Sequence, residues 1–181
     1  MNCPVCKTKT LAACELNPNL VSRKCDTCGG QWISSFEFWR WFESNRAQRQ
    51  ETPAAYALNA ASNETKSVKT CPECGHILTK YKVGHSLNFS LDRCGNCGGT
   101  WFDRNEWEIL QSSELRDKIH LIYSAAWQQQ VRKEDRARHL QKLFAERIGE
   151  KDHIEIQRIK EWLDKHPHRQ VLRAFLDSDE F

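Results

Sequence analysis

Two kinds of apolar patterning divide the chain. In residues 10–16 (TLAACEL) and 20–25 (LVSRKC), short apolar runs flank a turn at Asn17-Pro18-Asn19. In residues 76–83 (HILTKYKV) and 87–94 (LNFSLDRC), apolar side chains recur near alternate positions around a turn at Gly84. Both patterns predict antiparallel hairpins. After each hairpin comes a tryptophan, then Ser34 three residues before Glu37, or Asp103 three before Glu106. That spacing is a capping box and predicts a helix start at both places, with Ser34 and Asp103 as N-caps. From Thr100 to Ile148 there is neither glycine nor proline, so helix is expected deep into the last third. Leu115, Ile119, Ile122 and Ala126 form one stripe at helical spacing, and Leu140, Leu143, Phe144 and Ile148 another. Gly149 predicts a stop, followed by a helix carrying Ile154, Ile159, Trp162 and Leu163 up to His166-Pro167. A last short helix carries Val171, Leu172, Phe175 and Leu176. The fold class is therefore α+β: two small hairpin units, each with a short helix, then an α-helical region. The expected divisions are residues 1–45, a polar, alanine-rich linker over 46–69, residues 70–113, and a helical hairpin or small bundle over 114–181.

Composition adds the chemistry. Of nine cysteines, eight form four C-x2-C pairs: Cys3/Cys6, Cys25/Cys28, Cys71/Cys74 and Cys94/Cys97. The pairs are separated by 18 residues in the first set and 19 in the second, a spacing that suits a four-cysteine zinc site. A unit of about 40 residues buries too little apolar surface to fold alone, and structural zinc contributes on the order of 10–16 kcal/mol of apparent binding free energy. Metal thus takes the place of a core. Two zinc ions per chain are expected, held by Cys3, Cys6, Cys25 and Cys28 and by Cys71, Cys74, Cys94 and Cys97. Iron in the same sulfur cage is the competing metal. Each knuckle needs a tight turn, which Gly29-Gly30, Gly75 and Gly98-Gly99 suit and Lys7 does not. Trp32 and Trp101 are expected to lie as an apolar lid over the metal-bound hairpin. Cys14 is left over and is expected to be a free thiol packed as a small hydrophobe.

The stretches CPVC…CDTCGGQWISSFE and CPEC…CGNCGGTWFDRNE resemble the transcription factor IIB-type zinc ribbons found as small bacterial domains. The second copy is the closer match. The first has Ser34 where the pattern has aspartate, and Lys7 where glycine is usual. The resemblance covers residues 3–43 and 71–110 and implies a zinc-ribbon fold and metal binding; it does not by itself imply a transcription role, and a nucleic-acid-binding or transcription-associated protein stays the alternative reading.

The function classes narrow accordingly. No apolar run approaches the roughly 18 residues of a membrane helix, and MNCPVCKTK lacks the apolar segment of a signal peptide. The chain is expected to be cytoplasmic, without membrane association, and complete from Met1. Catalysis is not expected: four cysteines close the coordination sphere, and no nucleophile–base set or phosphate loop is present. Phe36, Phe38, Trp39, Trp41 and Phe42 crowd one helix. Burial against the tail helices accounts for them in one reading. In the other, Phe38, Trp39, Trp41 and Phe42 bind a protein partner. The formal charge of +3 counts cysteines as neutral, and two four-thiolate zinc sites bring it to about −1. That argues against a duplex-binding surface, although Lys7, Lys9, Arg23, Lys24, Lys80, Lys82 and Arg93 around the ribbons keep nucleic acid as the alternative partner. The basic stretch Arg132, Lys133, Arg136, Arg138 and Lys142 is interleaved with Glu134 and Asp135, as on a solvated helix face. The histidines are expected at the surface.

Overall fold

The computed structural model describes residues 1–7, 9–45, 65 and 67–178. Most of the expected linker therefore lies outside the described residues. The elements run β1 (Ala12–Asn17), β2 (Leu20–Lys24), β3 (Gln31–Ile33), α1 (Ser35–Ser44), β4 (Leu78–Gly84), β5 (Leu87–Cys94), β6 (Thr100–Phe102) and α2 (Glu106–Ser112). A 3-10 turn (Arg116–Lys118), α3 (Ile119–Ile122), α4 (Ala125–Ile148), α5 (Glu150–Lys165) and α6 (Arg169–Leu176) follow.

Both expected hairpins form, β1 with β2 and β4 with β5. Each gains a short third strand that the alternation did not announce, and these third strands pair with each other. The result is one six-stranded sheet in the order β1-β2-β3-β6-β5-β4. The register at the centre is Gln31 opposite Phe102, Trp32 opposite Trp101, and Ile33 opposite Thr100. A pseudo-twofold axis therefore passes through the Trp32–Trp101 pair. Pairing the third strands covers one exposed edge of each ribbon, leaving β1 and β4 as the edges of the joint sheet.

Compact packing divides the chain into residues 1–131 and 132–181. This differs from a boundary after residue 113, because Leu115, Ile119 and Ile122 are buried in the first unit's core beside Leu20, Ile33, Trp41, Phe102, Trp107 and Leu110, and Val131 is buried beside Gly84. The long helix expected from the second cap is accordingly interrupted. Glu114 adopts a left-handed backbone (φ 56°) after α2, and α3 is a single turn. The start of α4 belongs to the first unit: Trp127 Nε1 donates to the Val83 carbonyl at 2.9 Å, and Gln128 Nε2 donates to the Lys82 carbonyl at 2.9 Å. In the second unit, Gly149 (φ 86°) separates α4 from α5, and α5 ends before His166-Pro167, as the sequence predicts. There Gln141 Oε1 accepts from Gln157 Nε2 at 2.8 Å, and the His153 ring nitrogen lies 2.8 Å from the same oxygen.

Candidate metal centres

Each metal centre is built from two reverse turns facing one another across a ribbon. In the first, the Lys7 N–H donates to the Cys3 carbonyl at 2.9 Å and the Gly29 N–H to the Cys25 carbonyl at 2.8 Å. In the second, Gly75 and Gly98 make the same bonds to Cys71 and Cys94, both at 3.0 Å. The residue after each second cysteine must adopt positive φ, and Lys7 does so (φ 64°) where Gly75 does (φ 75°). Lys7 thus occupies the glycine position at a conformational cost of roughly 1 kcal/mol.

These turns bring together Cys3, Cys6, Cys25 and Cys28, and Cys71, Cys74, Cys94 and Cys97, with the sulfurs of each set within 4.8 Å of one another. Sulfur separations include 3.6 Å for Cys3–Cys28, 3.8 Å for Cys6–Cys25, 3.5 Å for Cys71–Cys97 and 3.4 Å for Cys74–Cys94. A zinc ion bound tetrahedrally at about 2.3 Å spaces its sulfurs about 3.8 Å apart, so both sets fit one. Backbone amides offset part of the cost of forming the thiolates that a metal requires: the Cys6 N–H reaches Cys3 Sγ at 3.3 Å and the Glu73 N–H reaches Cys71 Sγ at 3.4 Å, although burial still raises Cys3 and pushes Cys71 up to about 11. The amide of His76 holds the Cys74 thiol down to about 6, with the neighbouring sulfurs assisting. Burial raises Cys25, but the amides of Cys28 and Thr27, together with the Cys3 and Cys28 sulfurs, outweigh it and bring that thiol to about 7. Four thiolates at each centre leave no position for substrate. Cys14 stands apart from both sets, half-buried, its thiol 3.5 Å from the Glu15 carbonyl.

The tryptophan lids correct the sequence expectation: each covers the other ribbon's knuckle. A Cβ added at Gly99 would lie inside 3.0 Å of the Trp32 ring, and one added at Gly30 inside 3.0 Å of the Trp101 ring. Both rings are fully buried, in one cluster with Cys3, Cys25, Cys71 and Cys94. The second glycine of each Gly-Gly pair is therefore the seat for the opposite tryptophan.

A buried charge cluster in the second ribbon was not expected from the sequence. Lys69 Nζ donates to Asp92 Oδ2 at 2.5 Å and to Asp103 Oδ2 at 2.9 Å, all three side chains being almost wholly buried. Burial alone would lower the Lys69 ammonium, but the two aspartates hold it above the ordinary lysine value. Asp103 also accepts from Trp101 Nε1 at 2.7 Å and from the Thr65 amide at 2.6 Å. Its side chain is committed there, so the residue preceding α2 is Asn105, in a left-handed conformation, rather than the expected Asp103 cap. Ser34 does cap α1, accepting the Glu37 amide at 3.2 Å.

Glu106 closes half of the box, accepting the Asp103 amide at 2.8 Å, and its Oε1 has no partner among the described residues. Burial pushes its carboxyl up to about 8. The folded state therefore binds this proton more tightly than the unfolded state does. The stabilisation is fully present below the ordinary value of 4.5 and is lost as pH rises towards about 8. Glu106→Gln is expected to flatten the pH dependence of stability between these limits and to be more stable than the parent at pH 8 by on the order of 1–3 kcal/mol. Equal pH slopes for the two proteins in urea melts would contradict this.

The aromatics of α1 divide by face. Trp41 is 3% exposed and packs at 5.6 Å from Trp107, which corrects its assignment to a partner-binding surface. Phe38 and Phe42 stack at 5.7 Å and pack against the same core, half-buried. Trp39 remains 41% exposed and Phe36 70%. The spacing of Phe38, Trp41 and Phe42, at i, i+3 and i+4, carried this signal. His120 is also corrected from the surface to a half-buried place between Trp39 and Phe42, at 5.7 and 5.0 Å. His76 and His85 are exposed and join neither sulfur set.

No helix among the described residues is long and apolar enough to cross a membrane. No curated protein and no solved structure matches the chain. One family does, described as a transcription factor zinc-finger, and it matches twice, over residues 2–44 and 70–113. Those segments enclose the two sulfur sets and end with α1 and α2, so the chain carries two tandem zinc ribbons of the transcription factor IIB type, each fitted to one zinc ion.

Proposed function

We propose that the chain is a non-enzymatic, cytoplasmic adaptor, in which the zinc-stapled sheet is a rigid platform and exposed apolar helix surface captures a protein partner. One observation carries this reading. Among described residues 132–178 Leu163 alone is buried, while Leu140, Phe144, Ile159, Trp162, Val171 and Phe175 are 46–67% exposed. Apolar surface of this extent marks interaction sites, and aromatic side chains are the favoured anchors. Trp39 and Phe36 on α1 add apolar exposure in the ribbon unit. The closed four-thiolate centres support a structural rather than a catalytic use of metal.

Charge favours a protein over a nucleic acid. Lys80 sits 3.5 Å from the Asp92 carboxylate, and the basic stretch of α4 is exposed and partly countered by its own acids, Arg138 to Asp135 at 3.6 Å and Lys142 to Glu146 at 3.8 Å. Affinity capture from host extract should retain a partner with little dependence on salt. The double variant Trp39→Ala/Trp162→Ala should weaken capture at least tenfold, each anchor being worth roughly 1–2 kcal/mol. Sub-micromolar binding to DNA or RNA at physiological salt, lost in Lys80→Ala/Lys82→Ala and kept in the tryptophan variant, would replace this reading with the nucleic-acid alternative.

A further inference from the structure

The pseudo-twofold axis allows the ribbons to be compared position by position, and one difference lies beside the central tryptophans. In the second ribbon, Trp101 Nε1 donates to Asp103, and Lys69 lies between Asp103 and Asp92. The matching positions in the first ribbon follow from the backbone. Trp32 pairs with Arg23 as Trp101 pairs with Asp92. Ser34 follows Trp32 by two residues, as Asp103 follows Trp101. The Leu11 amide donates to the Met1 carbonyl at 3.0 Å as the Leu78 amide donates to that of Lys69 at 2.9 Å. Met1, Arg23 and Ser34 thus stand where Lys69, Asp92 and Asp103 stand.

This exchange leaves a gap. Trp32 is 1% exposed, yet its Nε1 has no partner among the described residues. A cavity of about 120 Å³ lies at this place, lined by Met1, Arg23, Trp32, Ser34, Glu37 and Glu73, among others. The missing element is the carboxylate that serves Trp101 in the other ribbon. Ser34 also caps α1, so the helix N-terminus adds its partial positive charge to that of Arg23. Of the acids facing the cavity, Glu37 is held by Arg40, and Glu73 reaches over from the second ribbon's knuckle.

We propose that this cavity binds a carboxylate, which takes the Trp32 indole N–H and the Arg23 guanidinium as its donors, in the place that Asp103 fills in the other ribbon. The volume is that of about four waters, enough for a carboxymethyl group. An acidic side chain of a bound protein and a free small carboxylate present the same chemistry. The site does not depend on the apolar helix surface, and its test reads Trp32 rather than partner capture, so each can fail alone.

The test is a titration of the zinc-loaded full chain, isotopically labelled, observing the seven indole N–H signals by NMR. The probes are sodium acetate and N-acetylaspartate amide, with sodium chloride at equal ionic strength as the reference. Both carboxylates should move the Trp32 signal downfield to saturation, leaving Trp101 in place. Tighter binding of the blocked aspartate by tenfold or more would point to a protein side chain, and equal binding to a free small acid. Arg23→Gln should weaken binding about tenfold. Ser34→Asp keeps a good helix cap and supplies the carboxylate internally, so it should shift the Trp32 signal without any probe and weaken probe binding at least tenfold. Glu73→Gln should bind as well or better. A Trp32 signal unmoved by either carboxylate, or moved equally by chloride, overturns the proposal. So does one that moves upfield on Glu73→Gln alone, because Glu73 would then already fill the site.

Discussion

Loss of zinc from one ribbon is expected to unfold both. Two independent ribbons would respond singly, a Cys97→Ser chain keeping one zinc and half of its tryptophan near-ultraviolet signal. Here Trp32 seats on Gly99 beside the second sulfur set and Trp101 on Gly30 beside the first. The third strands share one ladder, and Ile33, Trp41, Phe102 and Trp107 share one core. Structural zinc contributes on the order of 10–16 kcal/mol apparent, as much as the net stability of an ordinary domain, so neither half has a reserve that outlasts its metal. Cys97→Ser is therefore expected to lower zinc well below one per chain and to collapse the near-ultraviolet tryptophan spectrum. Part of the far-ultraviolet helix signal should remain, because α5 and α6 lie outside the ribbon core. A variant that retains one tightly bound zinc and half of the aromatic signal would show that the interlock carries little energy.

The metal centres were legible because ligand spacing is a local property, and so were the caps and stops: Ser34, Gly149 and His166-Pro167 act on their own neighbours. The joining of the ribbons was not, because a sequence that repeats does not say whether its copies touch. Gly30-x-Trp32 and Gly99-x-Trp101 held the clue, since a bare glycine two residues before a large ring suits a reciprocal seat. The Lys69–Asp92–Asp103 cluster brings together residues 23 and 34 positions apart and has no periodic signature. Lys69 in particular sits where polar composition suggests linker. The five aromatics of α1 were counted where they needed to be placed: helical spacing puts Trp41 inward with Phe38 and Phe42, leaving Phe36 and Trp39 outside.

Adding one methyl group at either seat glycine is expected to be among the most damaging single changes in this protein. At Gly30 a Cβ would fall inside 3.0 Å of Trp101 Cζ2, and at Gly99 inside 3.0 Å of Trp32 Cζ2, so the ring or the backbone must move. The rings cannot give way, being 0% and 1% exposed and enclosed by the cysteine clusters. Overpacking of a filled core costs typically 1–3 kcal/mol and more where nothing can relax, so Gly30→Ala and Gly99→Ala should each lose about 3 kcal/mol or more. Two other glycines separate this effect from backbone strain. Gly75 has a positive φ of 75° and nothing within 4 Å of an added Cβ, so Gly75→Ala should cost only about 1 kcal/mol. Gly95 has open space and no positive φ, and Gly95→Ala should be neutral or slightly stabilising. Urea denaturation of the four zinc-loaded variants measures the order. The reciprocal seat also predicts where damage is felt: Gly30→Ala should perturb the Trp101 indole signal in the second ribbon more than Trp32 in its own, and the reverse pattern would place each tryptophan over its own knuckle after all.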